Sequence, residues 1–137
     1  MTTQDSQDSQ DSPDSQGTQD GRGATAPLGP EDQKLITLAR STRARNAVPE
    51  GAAVRDETGR TYVAGTVALD SLSLSALQTA VAMAVASGAR SLEAAAVVTA
   101  ADGAADADLA AVRDLGGAGT PVLVAGPDAA VKARVGA

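Results

Sequence analysis

Phe and Trp are absent from this 137-residue chain and Tyr62 is its one aromatic residue, so any core has to be assembled from Ala, Val and Leu. These side chains are small. At about 25 cal/mol per Å² of apolar surface, a domain of roughly 105 residues built from them is marginal alone. An oligomer is therefore expected, in which a second burial surface supplements the small core. Cys and His are missing too. Without Cys there are no disulfides, thiol nucleophiles or thiolate metal sites. Without His the commonest general base and the commonest nitrogen ligand are gone. Asp, Glu, Lys34, Lys132 and Tyr62 are what remains for acid–base work.

The formal net charge of −6 is unevenly placed. Residues 1–29 carry Asp5, Asp8, Asp11, Asp14 and Asp20 against Arg22, a balance of −4, and the remainder holds twelve acids and ten bases, a balance of −2. A nearly neutral remainder leaves no broad footprint for nucleic acid. No apolar run approaches the roughly 20 residues of a membrane span. The acidic, polar N-terminus is the opposite of a secretory signal, and a soluble cytoplasmic protein with no membrane partner is expected. Within residues 1–29, Gln4-Asp5-Ser6 recurs as Gln7-Asp8-Ser9 and Gln10-Asp11-Ser12. With almost no apolar residues, this stretch cannot offset its ordering entropy and reads as a disordered, solubilising tail. A domain is expected over 30–137.

Pro30-Glu31-Asp32 opens a helix with proline and two acids in its first turn, where the helix dipole favours them. Leu35, Leu38, Ala39 and Thr42 form its apolar face, and Arg40, Arg43 and Arg45 lie toward its end. Ala52 to Arg55 and Thr61 to Val67 read as two strands joined by the turn Asp56-Glu57-Thr58-Gly59, with Gly59 suited to positive φ. Ser71 or Ser73 is a candidate cap for a second helix carrying Leu74, Leu77, Val81 and Val85 and ending at Gly88. Glu93 to Thr99 is a buried-strand candidate, and Asp106 a candidate N-cap for a helix stopped by Gly116-Gly117. Thr120 to Ala125 reads as a further strand and Asp128 to Val135 as a short terminal helix. The order predicts an α/β layered domain: a mixed sheet of about four to five strands with helices packed on it.

That order and several local strings resemble the small homotetrameric cytidine deaminases. Glu50-Gly51-Ala52-Ala53-Val54, Thr58-Gly59 and Tyr62-Val63-Ala64-Gly65 stand where that family has a Val-Gly-Ala-Ala-Leu strand, a Gly turn and a Tyr-x-x-Gly strand. Ser75-Ala76-Leu77-Gln78-Thr79-Ala80 stands where it has Cys-Ala-Glu-Arg-Thr-Ala. The resemblance covers about residues 31–125 and implies a cytidine deaminase-like fold. In such deaminases a zinc ion held by Cys or His supplies hydroxide, and a Glu that is not a ligand shuttles the proton. Here Ser75 takes the first ligand position and Leu77 that of the glutamate. The Pro-Cys-x-x-Cys motif maps onto Ala104-Ala105-Asp106-Ala107-Asp108, and the substrate-binding Asn-x-Glu onto Val67-Ala68-Leu69.

Ser75, Leu77, Ala105 and Asp108 are thus the degenerate site positions, with no catalytic residue, no cofactor and the family zinc expected to be lost. The expectation is a pseudoenzyme, a homo-oligomer or partner-binding module. A cytidine deaminase, as family resemblance alone would label it, is the alternative. A second alternative is a weak RNA or nucleotide binder contacting phosphate through Arg40, Arg43 and Arg45, with Arg55 and Arg60 nearby. No aromatics interleave with those arginines for base stacking, so nucleic acid is not the expected partner. Asp102, Asp106 and Asp108 offer oxygens to a hard cation but match no known loop spacing. Ser75 has no His to activate it, and nothing in the sequence brings Lys34 or Lys132 to it. Gly116-Gly117-Ala118-Gly119 lacks the Lys-Ser/Thr of a phosphate loop and reads as a turn.

Overall fold

The structure is a computed structural model and describes residues 27–137. The Gln-Asp-Ser tail expected to be disordered lies outside the described residues. Helix α1 spans Pro30–Asn46, with Pro30, Glu31 and Asp32 in its first turn, Arg43 and Arg45 in its last, and Ala47 closing it in the left-handed region. Its buried face is Leu35, Ile36, Ala39 and Thr42. Ile36 belongs to that face, whereas the expected Leu38 is only half-buried.

The hairpin follows as β1, Gly51–Asp56, and β2, Thr61–Gly65. The second strand stops at Gly65 and not at Val67; Val67–Ala68 leaves the main sheet as β3 and pairs with β4, Ser73–Leu74. Then come α2, Ala76–Ala86, β5, Leu92–Val98, α3, Asp106–Gly116, β6, Pro121–Ala125, and β7, Val131–Gly136. The main sheet has five strands in the order β2-β1-β5-β6-β7, mixed in direction, with β5 and β6 parallel and the other pairs antiparallel. This is the α/β layered architecture the sequence predicts.

Side-chain alternation divides the core between the two faces of the sheet. Leu35, Ile36 and Ala39 of α1 pack on Ala53, Ala94, Ala96, Val98, Leu123 and Ala125. On the other face Ala76, Leu77, Ala80, Val81 and Ala84 of α2, with Val112 of α3, pack on Ala52, Val54, Ala95 and Val122. Covered on both sides, β5 is a continuous apolar run from Ala94 to Val98, as central strands are. The small side chains bring the layers close: a Cβ at Gly51 would collide with the carbonyl oxygen of Ala39 in α1.

The terminal helix expected over Asp128–Val135 is instead strand β7. Asp128 Oδ1 accepts from the N–H of Ala130 at 3.0 Å, and Ala129 takes φ 70°, so the chain turns before Val131. The segment after that turn meets the edge of β6, where ladder hydrogen bonds are on offer. β7 runs antiparallel along it, Val122 opposite Val135 and Val124 opposite Ala133. Among the described residues no helix is long and apolar enough to cross a membrane.

Candidate functional site

Beyond the carboxyl end of β5, the loops after α1, β2 and β5 meet the start of α2 around a cleft of about 440 Å³. Its wall includes Glu50, Thr66, Ser73, Ser75, Thr99 and Ala101. Most of these polar groups are already satisfied within the chain. Thr66 Oγ1 accepts from the Glu50 N–H at 3.1 Å, and Thr99 Oγ1 accepts from the Ala101 N–H at 3.1 Å. Lys132 of β7 donates to the carbonyls of Thr99 at 2.8 Å and Ala101 at 2.6 Å, tying the loop after β5 to the edge strand. That role for Lys132 has no signal in the sequence, because it depends on β7 being a strand.

Ser75, not Ser71 or Ser73, is the N-cap of α2. Its hydroxyl accepts from the Gln78 N–H while the Gln78 side chain accepts from the Ser75 N–H, each at 3.0 Å. The Ser-x-x-Gln spacing of this capping box is readable in the sequence. The same hydroxyl donates to Asp108 Oδ1 at 2.6 Å. Asp108 lies in the first turn of α3, 4% exposed, and the N-cap of that helix is Ala105, not Asp106. Ala105 and Asp106 are exposed, and neither caps through a side chain. The structure therefore unites two of the four degenerate positions, Ser75 and Asp108, which are 33 residues apart. Leu77 does not join them: it is fully buried in the core between α2 and the sheet.

The donor set does not fit a zinc ion of the kind the fold implies. Such a site needs three nitrogen, sulfur or carboxylate ligands around one point. Ser75 offers a neutral hydroxyl, Ala105 a methyl group and Asp108 a carboxylate already accepting a hydrogen bond from Ser75. Among the described residues no three His, Cys, Asp or Glu come together to hold a metal. Asp108 is buried against Ser75 while Asp102 and Asp106 are exposed, so the three aspartates do not converge.

Of the arginines that the second alternative would use to contact phosphate, Arg40 and Arg43 bond to the chain itself. Arg40 Nε donates to the Pro127 carbonyl at 3.1 Å and Arg43 Nε to the Pro49 carbonyl at 2.9 Å; Arg45 is exposed. Arg55 bridges Asp32 of α1 at 3.2 Å and Glu93 of β5 at 2.8 Å. Partial burial works against its charge, but the bonds to Glu93 and Asp32 outweigh that and raise its pKa. Lys34 lines a separate cleft of about 410 Å³ with Glu31, Arg55 and Glu57. Gly116 to Gly119 form the turn expected of them, with positive φ at Gly117 and Gly119.

A second buried polar cluster lies at the hairpin turn. Asp56, 2% exposed, accepts from the Thr58 N–H at 2.9 Å, the Thr58 hydroxyl at 2.7 Å, the Arg60 N–H at 3.0 Å and the Tyr62 hydroxyl at 2.9 Å. Burial alone would raise its pKa, but the bonds from Thr58, Tyr62 and Arg60 prevail and lower it to about 2. The Asp-x-Thr spacing at the turn is the signal for it. This cluster locks the hairpin and faces no cleft with the Ser75 site.

Comparison with known proteins gives this arrangement its context. A family model described as cytidine deaminase-like matches residues 28–129. The fold is similar to that of the cytidine deaminase from Burkholderia pseudomallei, with 25% identity and a TM-score of 0.63 over 72% of this chain and 87% of that one. It also resembles the cytidine deaminase from Mycobacterium leprae, with 19% identity and a TM-score of 0.57 over 77% and 94% of the two chains. The second likeness is one of fold alone. Among curated proteins no significant match is found.

Proposed function

The chain belongs to the cytidine deaminase-like family, and from that membership we propose that it is a non-catalytic member, a pseudoenzyme serving as an oligomerising or interaction module. The observation that carries this reading is the contact between Ser75 and Asp108 at 2.6 Å, with Leu77 turned into the core. Zinc deaminases need a Cys- or His-held ion to activate water and a Glu to move its proton. Among the described residues no zinc ligand set comes together, and position 77 carries no carboxylate for those steps. Losing a general acid–base group alone costs about 10²–10⁴ in rate. Loss of the family zinc is part of the proposal.

The module half of the reading is supported by the apolar surface left on the helices. Val85 of α2, 54% exposed, lines a shallow cleft with Val81, Ala111 and Leu115, and Met83 of the same helix is 41% exposed. An aliphatic core of this kind gains from a second burial surface. The cytoplasm is the compartment proposed, which fractionation of native cells tests.

The test reads zinc content, conversion of cytidine to uridine, and molar mass on one purified sample of the full chain. Expected are zinc far below one per chain, no uridine above background, and a mass of more than one chain. Stoichiometric zinc with turnover lost in Asp108→Ala would overturn the reading in favour of a deaminase, which family membership and the 25% likeness support. The arginine reading is weaker, since Arg40 and Arg43 are engaged with backbone carbonyls. It would be favoured by salt-sensitive RNA binding that Arg43→Ala with Arg45→Ala abolishes.

A further inference from the structure

Helix α3 is thinly anchored. Asp108 and Val112 are its buried residues, and its N-cap, Ala105, offers no side-chain acceptor. The carboxylate of Asp108 nevertheless sits 4% exposed at the junction with α2, and the Ser75 hydroxyl donates to it at 2.6 Å. The one proton of that hydroxyl is committed to Asp108, and its oxygen also accepts the Gln78 N–H. Distance decides what joins the two oxygens. A tetrahedral ion held at about 2.1 Å by each would set them about 3.4 Å apart. At 2.6 Å the Ser75 hydroxyl donates directly to the carboxylate, and the two oxygens are too close to be joined by such an ion.

We infer that the Ser75–Asp108 hydrogen bond is the structural replacement for a metal bridge, tying the start of α2 to the start of α3 and making that junction metal-independent. The inference rests on the non-catalytic reading and assigns the degenerate positions a job of their own. A hydroxyl bonded to a buried carboxylate is a charge-assisted bond, stronger than a neutral one. Residues 75 and 108 come from different helices, so the bond restrains tertiary packing and not merely one turn. Ala105, exposed at the cap of α3, takes no part in the tie.

The experiment is thermal unfolding of the full chain, with and without chelator or added zinc, for the native sequence and four variants. The native protein is expected to melt at the same temperature in all three conditions. Ser75→Ala and Asp108→Ala should each lower Tm by about 5–10 °C, and the double variant by clearly less than the sum, since both remove one bond. Asp108→Asn keeps an acceptor oxygen and should lose less than Asp108→Ala, so the inference stays testable if the latter does not fold. The fourth variant combines Ser75→Cys, Ala105→Cys and Asp108→Cys. It should bind about one zinc or cobalt per chain, with thiolate–cobalt absorption and a zinc-dependent rise in Tm.

Native protein containing stoichiometric zinc and destabilised by chelator would overturn both this inference and the non-catalytic reading. Metal-independent native protein whose Tm is unmoved by Ser75→Ala and Asp108→Ala, or moved additively, would overturn the inference alone. So would a folded triple-cysteine variant that binds no metal, because the three positions would then not surround one point.

Discussion

Asp56 and Asp108 are both buried carboxylates, 2% and 4% exposed, and the chain provides for them in opposite ways. Asp56 draws four hydrogen bonds from Thr58, Arg60 and Tyr62, all within six residues of itself. Asp108 takes the Ser75 hydroxyl from a helix 33 residues away. Burying a charge without partners is expensive, so each site has to supply donors. The local solution lets a hairpin be completed by its own turn. The long-range solution ties together two helices that pack on the same face of the sheet. A carboxylate in this small aliphatic core is tolerated where donors are supplied, and the donors decide whether it organises a turn or the tertiary fold.

Leu77→Glu breaks that rule most severely. It restores the family's carboxylate at the level of sequence, yet Leu77 is fully buried among Ala and Val, with no donor provided. We expect a loss of about 3–5 kcal/mol, read by urea unfolding, and no gain of cytidine turnover. Wild-type stability in this variant would mean that position 77 opens to the cleft.

Asp56→Ala comes next. It strands the Tyr62 hydroxyl, the Thr58 hydroxyl and two backbone N–H groups at once, and should lower Tm by about 10–15 °C, more than Asp108→Ala. The reverse order would mean that the helix junction, and not the hairpin, dominates the fold.

Acid unfolding separates the two further. The pKa of Asp56 is about 2 in the folded state, below the unfolded value of about 3.9. Its contribution to stability is therefore complete above about pH 4 and disappears as pH falls through the folded value. Native protein should lose stability between about pH 4 and 2 more steeply than Asp56→Asn, measured by denaturant midpoints. Parallel curves would remove Asp56 as the acid-sensitive group.

The contrast also explains what could be read from the chain. The hairpin was legible because its signals are local: Gly59 at positive φ and an Asp at the turn. The order of helices and the central strands were legible from apolar periodicity, and the family from ordered strings such as Tyr62 to Gly65. The strand β7 was not, since Asp128 to Val135 shows its preference only beside the free edge of β6. In the sequence Ser75 and Asp108 stand as degenerate site positions. Their bond is a tertiary fact that neither local pattern contains. Propensity favours Asp106 as the cap, but the chain enters α3 one residue earlier, at Ala105.

The smallest effect is the most direct probe of the local site. Tyr62 is the one aromatic residue of the chain, so phenolate absorbance titrates it alone. Its hydroxyl donates to Asp56 Oδ2 at 2.9 Å. That bond, aided by burial and opposed by Arg60, raises its pKa above the ordinary 10.0. A raised folded-state value means that this contribution to stability is complete below the unfolded pKa and is lost as pH rises through the folded one. Asp56→Asn should move the spectroscopic midpoint back toward 10.0. Asp108→Ala should leave it where it is, because that carboxylate belongs to another junction. A midpoint that shifts equally in both variants would show the hairpin lock and the helix tie to be one coupled network, and the contrast between them would fall.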